Sequence, residues 1–138
     1  MQRSANTWTR HAKQADGKRS GLESQVANQL DALDVTYQYE KGKIEYETPA
    51  EKHTYLPDFR VVRFSNNSMI IETKGRFETK DRKKHLLIKA QHPTLDLRFV
   101  FSNPNQRISK QSQTTYAMWC EKNGFLYAKG FIPKEWLA

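Results

Sequence analysis

The sequence predicts a mixed α/β domain in which helices flank a central sheet, and three observations carry that reading. Apolar residues recur at helical spacing in two separated stretches. Short runs of β-branched and aromatic residues lie between turn-forming clusters. The second half then reads strand, helix, strand, the order of a parallel crossover unit.

Taken in order, a first helix has Ser20 as its N-cap, Glu23 three residues later, and Leu22, Val26, Leu30 and Leu33 on one face, ending near Asp34. Val35, Tyr37 and Tyr39 alternate with Thr36, Gln38 and Glu40, the period of a half-buried strand, and another extended piece runs through Ile44 and Tyr46. Residues 47–53 are polar and apolar-poor, interrupted by Thr48-Pro49, so they read as a connector. Tyr55–Phe64 and Met69–Lys74, joined through Ser65-Asn66-Asn67-Ser68, read as a β-hairpin. A helix over about Thr79–Gln91 turns Leu86, Leu87 and Ala90 inward, and His92-Pro93 stops it before a strand through Leu97, Phe99 and Phe101. A polar loop from Ser102 to Gln113 precedes a short helix presenting Tyr116, Trp119 and Cys120, closed by Gly124, with Phe125–Ala128 as a last strand. Trp119 and Trp136 read as core or interface side chains.

The 138 residues, 37% hydrophobic and 12% aromatic, suffice for one domain with a small core. Lys and Arg total 23 against 15 Asp and Glu, a net charge of +8, which makes nucleic acid the leading partner class. Cys120 is the lone cysteine, so no intrachain disulfide is expected, and a reducing cytoplasm is the natural compartment. No stretch approaches the roughly 20 apolar residues of a membrane span, and the expectation is a soluble protein without a membrane partner. Residues 1–19 carry five cations against Asp16 and bury little beyond Trp8, so a flexible basic arm is expected before a single domain over 20–138.

The chemistry concentrates in the hairpin. Pro57-Asp58 on one strand is answered by Glu72-Thr73-Lys74 on the other, and residues two apart on a strand share a face. Two carboxylates converging on one spot repel unless a cation lies between them, and oxygen ligands suit Mg²⁺ or Mn²⁺. An adjacent Lys74 can orient a water or stabilise charge on a phosphate. The spacing matches the PD…(D/E)xK nuclease pattern and, with it, a restriction-endonuclease-like core. The plainer alternative is an exposed cross-strand ladder in which Lys74 only pairs with Glu72 or Asp58.

Arg76, Lys80, Arg82, Lys83, Lys84 and Lys89 follow directly, where a phosphate backbone would approach, and Lys18, Arg19 and His53 join them as DNA-facing candidates. For the lysine run the alternative is a solvated helix face, and for His53 a structural role. His11, His85 and His92 share no ligand spacing.

Ser20-Gly21-Leu22-Glu23, His53 to Phe59, Glu72 to Gly75 and Asp81 to Ile88 closely resemble the phage endonuclease I family, the four-way-junction resolvases of short-tailed phages. The resemblance continues through Gln91-His92-Pro93, Phe99 to Ser102, Cys120-Glu121-Lys122 and Ile132 to Trp136. It implies a phage- or prophage-encoded homodimer with exchanged elements that resolves four-way (Holliday) junctions by paired nicks, with two divalent metals per active site. It implies metal binding by Asp58, Glu72 and Glu23, with Thr73 in the set, and Lys74 as the catalytic lysine. For Glu23 the residues alone favour a capping box with Ser20. Where the family can carry another acid, this chain has Gln38, a neutral amide between Tyr37 and Tyr39. A less selective nicking or restriction-type nuclease, and a branched-DNA-binding protein with a weakened site, are the alternative functions.

Overall fold

The computed structural model describes residues 21–48 and 51–138, so the expected basic arm, the Ser20 cap, Lys18 and Arg19 lie outside the described residues. The chain runs α1 (Gly21–Ala32), β1 (Tyr37–Tyr39), β2 (Ile44–Thr48), β3 (Glu51–Tyr55), β4 (Phe59–Val62), β5 (Ser68–Lys74), α2 (Thr79–Gln91), β6 (Leu97–Phe101), α3 (Tyr116–Asn123) and β7 (Tyr127–Lys129). A 3-10 turn over Lys134–Leu137 ends it. The main sheet has five strands in the order β1-β4-β5-β6-β7. β1, β4 and β5 pair antiparallel, whereas β5, β6 and β7 pair parallel, so the mixed sheet expected from the sequence is present.

Alternation along β5 divides the core between the two faces of this sheet. Met69 and Ile71 join Val26, Leu30, Tyr37, Phe59 and Trp136 beneath α1. Ile70 joins Phe77, Ile88, Phe99, Phe101 and Trp119 beneath α2 and α3. Cys120 is buried in that second cluster, where burial pushes its thiol up to about 12, as suits a small core residue. α1 stops because Asp34 turns left-handed at φ 58, which lets the Val35 amide reach the Leu30 carbonyl. α3 stops at Gly124, whose φ of 79 favours glycine.

Two boundaries differ from expectation. The stretch from Tyr55 to Phe64 is not one strand: Tyr55 closes β3, the chain breaks at buried Pro57, and β4 begins at Phe59. Asp58 therefore lies just before its strand rather than within it.

The larger correction is at 47–53, which is no bare connector. β2 and β3 form an antiparallel pair in which Tyr46 faces His53 and Glu47 faces Lys52, with residues 49 and 50 outside the described residues. Local propensity is poor here, and the missing support comes from α2. The Gln91 side chain accepts from the Glu47 amide at 2.7 Å and donates to the Glu47 carbonyl at 2.6 Å. His92 reaches the Glu45 carbonyl. His53 is occupied within this hairpin, stacking on Tyr46 and pairing with Glu51 at 3.0 Å.

Gln91→Ala removes both side-chain bonds at an exposed edge, each worth roughly 0.5–1.5 kcal/mol. The expected outcome is a loss of about 1–2 kcal/mol in denaturant melts, with faster amide exchange at Glu47 and across the β2–β3 pair while β5 and β6 stay protected.

Candidate metal centre

The strand ends collect the acidic groups. At one end of the main sheet, β1 and β5 finish while β4 begins, and the first turn of α1 lies nearby. Ligands commonly bind at the carboxyl ends of parallel strands. Glu23 comes from α1, Glu40 directly follows β1, and Asp58 directly precedes β4; carboxylate oxygens of these three lie within 4.8 Å of one another. Glu40 reaches the cluster because its backbone is left-handed, φ 51, with its amide bonded to the Asp58 carbonyl at 3.0 Å.

Asp58 is fixed rigidly. One of its oxygens accepts from the Thr73 amide at 2.9 Å and from the Thr73 hydroxyl at 2.8 Å. Thr73 thus commits its amide and its hydroxyl hydrogen to orienting Asp58. Burial, then the charges of Glu72 and Glu23, push the Asp58 carboxyl up to about 8, although the Thr73 bonds pull the other way. Tyr39 donates to Glu23 at 2.6 Å, and burial with that bond pushes its phenol well above the ordinary range.

Glu72 lies behind this cluster rather than in it. It is 5% exposed, accepts from the Tyr55 hydroxyl and, at 3.4 Å, from the Asp58 amide. Burial raises its carboxyl, opposed by Lys74 and the Tyr55 bond. Lys74 stands 3.6 Å from Glu72 and 3.3 Å from Asp81. Burial alone would lower its ammonium, but Glu72 and Asp81 outweigh burial and hold it above the usual range. Asp81 also caps α2 by accepting from the Glu78 amide, so the helix start and the lysine are aligned by one carboxylate.

His85 packs edge-on against Tyr55 and Phe99, with neither ring nitrogen hydrogen-bonded among the described residues. Burial and the charges of Lys74 and Lys84 drive its pKa far down, so it is a neutral wedge behind the tyrosine.

Other residues fall differently from expectation. Gln38 is buried, and its amide oxygen lies with the guanidinium of Arg60, its partner across β1–β4, where any side chain at Gly42 would have to go. Arg82 is not available to outside phosphates: it is buried, holding the Phe77 carbonyl and the Thr79 hydroxyl. Lys89 sits over the Phe125 ring and bonds the Gly124 carbonyl, fastening α2 to the end of α3. Lys84 lies over the Tyr55 ring, near enough to act on Glu72. Lys80 and Lys83 are exposed, and Arg76, also exposed, pairs with Glu78.

Glu40, Tyr55 and Asp81 were not singled out by the sequence pattern. The signal for Glu40 was its place two residues beyond Gln38 in the same alternating strand; Tyr55 and Asp81 are legible only from contacts across elements.

An acidic cluster at a sheet end, backed by the buried Glu72 and its partner Lys74, defines a group able to chelate a divalent cation. Residues 4–138 match the family of phage endonuclease I, and the chain belongs to that family. It is 47% identical over 119 residues to "Endonuclease I" of Escherichia phage T7, covering 86% of this chain and 77% of that one. It is 43% identical over 129 residues to "Endodeoxyribonuclease 1" of Enterobacteria phage T3, covering 94% and 82%. Among the described residues no helix is long and apolar enough to cross a membrane.

The donor set fits a hard divalent cation, because all its atoms are oxygens and its charge is under-compensated enough to retain a proton at neutral pH. Cation binding must displace that proton, so apparent affinity should fall about tenfold per pH unit below about 8. Titration calorimetry with Mn²⁺ from pH 6 to 8 measures it, and a flat profile would contradict the arrangement.

The linked stability has a definite sign. A carboxyl with an ordinary value of 3.8 when unfolded and about 8 when folded makes the metal-free protein lose stability as pH rises through that window. Asp58→Asn should therefore raise the metal-free Tm by a few degrees at pH 8 while weakening cation binding.

Proposed function

We propose that the protein is a metal-dependent endodeoxyribonuclease that resolves four-way DNA junctions by paired phosphodiester hydrolysis, acting as a homodimer. The observation that carries this reading is the cluster of Glu23, Glu40 and Asp58 beside the buried Glu72–Lys74 pair, in a chain of the phage endonuclease I family. A net charge of +8 supports a polyanionic substrate despite this local acidity.

Asp58, Glu23 and Glu40 would hold Mg²⁺ or Mn²⁺, two ions per site in the family's manner, with Glu72 at the inner edge and Thr73 within the same set. Such a cation supplies charge stabilisation at the phosphoryl oxygen and a more acidic water. Thr73 keeps the Asp58 carboxylate in one orientation. Lys74, aligned by Glu72 and Asp81, places a positive charge where negative charge grows during the attack. Tyr55 fixes the Glu72 rotamer, and His85 packs behind it. Glu40 supplies the carboxylate that Gln38 lacks, which argues against a decayed site.

The β2–β3 hairpin bears on the dimer. Glu23 and Glu40 precede it in sequence, and Asp58, Glu72 and Lys74 follow it. If β2 and β3 of one chain separated, β2 of one subunit could pair with β3 of the other in the same register, and each site would be shared between two chains.

Cutting of a labelled four-way junction should require a divalent cation, stop in EDTA, and exceed cutting of a matched linear duplex. Asp58→Ala, Glu72→Ala and Lys74→Ala should each lower the rate at least about 100-fold while sparing junction binding, because affinity comes from phosphate contacts. Undiminished cutting by Glu72→Ala would overturn its assignment. A tagged heterodimer of Glu23→Ala and Asp58→Ala subunits tests the exchange on a supercoiled cruciform plasmid. Open-circular product is expected if sites are shared, because both changes then fall in one site; an inert heterodimer means each site belongs to one chain.

A further inference from the structure

The loop between β6 and α3 is more than a connection. Its backbone is tied down at both ends and in the middle: the Gln106 amide bonds the Asn103 carbonyl, the Ile108 amide the Thr114 carbonyl, and the Tyr116 amide the Gln106 carbonyl. Arg107 and Thr115 also form an isolated antiparallel bridge. A polar loop anchored in this way holds its side chains on a fixed platform.

That platform faces the segment after Lys74. A cleft of about 340 Å³ lies between them, lined by Arg76 and Glu78 on one side and by Gln106, Arg107, Ser109 and Lys110 on the other. Tyr116 forms its floor and ties the walls together, since its hydroxyl accepts from the Phe77 amide at 3.1 Å. Three cations face the cleft against one acid. Arg76 pairs with Glu78 at 3.4 Å, whereas neither Arg107 nor Lys110 has an acidic partner among the described residues. All three cations are exposed. Gathering like charges without acids to match them costs free energy in the free protein, which an anion would relieve.

A short chain of contacts links the cleft wall to the candidate metal centre. Glu78 gives its amide to Asp81, and Asp81 pairs with Lys74. Arg76 is only two residues beyond Lys74, so an extended anion lying over the carboxylate cluster and Lys74 would run into the cleft.

We propose that Arg107 and Lys110, with Arg76, form a second phosphate-binding site that grips the DNA backbone away from the point of cutting. This rests on the endonuclease reading above. Guanidinium and ammonium groups beside the Ser109 hydroxyl and the Gln106 amide suit phosphodiester oxygens. Phe77, Ile108 and Tyr116 complete the lining, and the cations beside them meet a charge that is the same on every stretch of backbone whatever the sequence. The site commits one DNA arm to a path between α2 and the loop, and a rigid grip on that path favours branched over straight DNA.

The test is junction binding by fluorescence anisotropy, in EDTA so that no cutting intervenes, with the full chain and its Arg107→Gln/Lys110→Gln variant. Two lost phosphate contacts should flatten the slope of log affinity against log salt by about two. Between 50 and 200 mM salt the wild type should then lose about tenfold more affinity than the variant. The charge-conserving Arg107→Lys/Lys110→Arg variant should restore the slope, which a merely misfolded loop would not allow. As the arms are trimmed toward the branch point, the difference between wild type and variant should vanish at a definite arm length. An unchanged salt slope, or a difference that persists at the shortest arms, overturns the proposal. A wild type with no salt-dependent DNA binding would instead overturn the endonuclease reading itself.

Discussion

The arrangement depends on carboxylates held close together, partly out of water, by a backbone that does not let them separate. Asp58 cannot swing away from its neighbours because the Thr73 amide and hydroxyl hold one of its oxygens. The backbone of Glu40 is held too, its amide bonded to the Asp58 carbonyl, while its side chain is exposed. Asp58 therefore bears the cost of burial together with repulsion from Glu72 and Glu23, and that cost emerges as its raised carboxyl. Only a proton or a cation can discharge it. The free protein gives up some stability so that its ligand atoms are already in place.

Lys74 occupies the complementary position. Its ammonium is largely shielded from solvent but has two carboxylate partners of unlike character. Glu72 is buried and belongs to the site, whereas Asp81 belongs to the start of α2 and caps it. The lysine is therefore oriented by the fold as well as by the acids it serves. The chain as a whole is strongly basic, so the acidic cluster is a small negative basin in a positive surround. Such a pattern draws a polyanion toward the molecule while keeping its own cations from filling the basin.

What could be read from the sequence divides along physical lines. The first helix and the main-sheet strands carried their own periodicity, whereas α2 turns Arg82, His85 and Ile88 inward and leaves Leu86 and Ala90 of the expected face exposed; the Asp58, Glu72 and Lys74 pattern was visible because its spacing is local to one hairpin. The division of labour among these groups was not. Alternation placed Glu72 beside Asp58, but the break at Pro57 leaves Asp58 facing Glu23 and Glu40, with Glu72 behind. Arg82 and Lys89 look like neighbouring members of a cationic run, and only tertiary contacts show them committed to the Phe77 carbonyl and the Phe125 ring. The β2–β3 pair was illegible for the same reason: its stabilising partners, Gln91 and His92, are more than forty residues away.

That hairpin also decides what kind of assembly the chain can make. It stands apart from the main sheet as a two-stranded unit, and in sequence it joins the segment carrying Glu23 and Glu40 to the segment carrying Asp58, Glu72 and Lys74. The contacts that join those segments, from the β1–β4 ladder to the core beneath α1, are noncovalent and do not depend on which chain supplies each side. One set of contacts is therefore compatible with a closed monomer and with an exchanged dimer. The balance lies in the pairing of β2 with β3 and in the surface that a second subunit would bury. If the substrate is a junction with two strands to cut, as proposed above, the form in which two sites are fixed relative to one another is favoured, because the second cut would then be an intramolecular event.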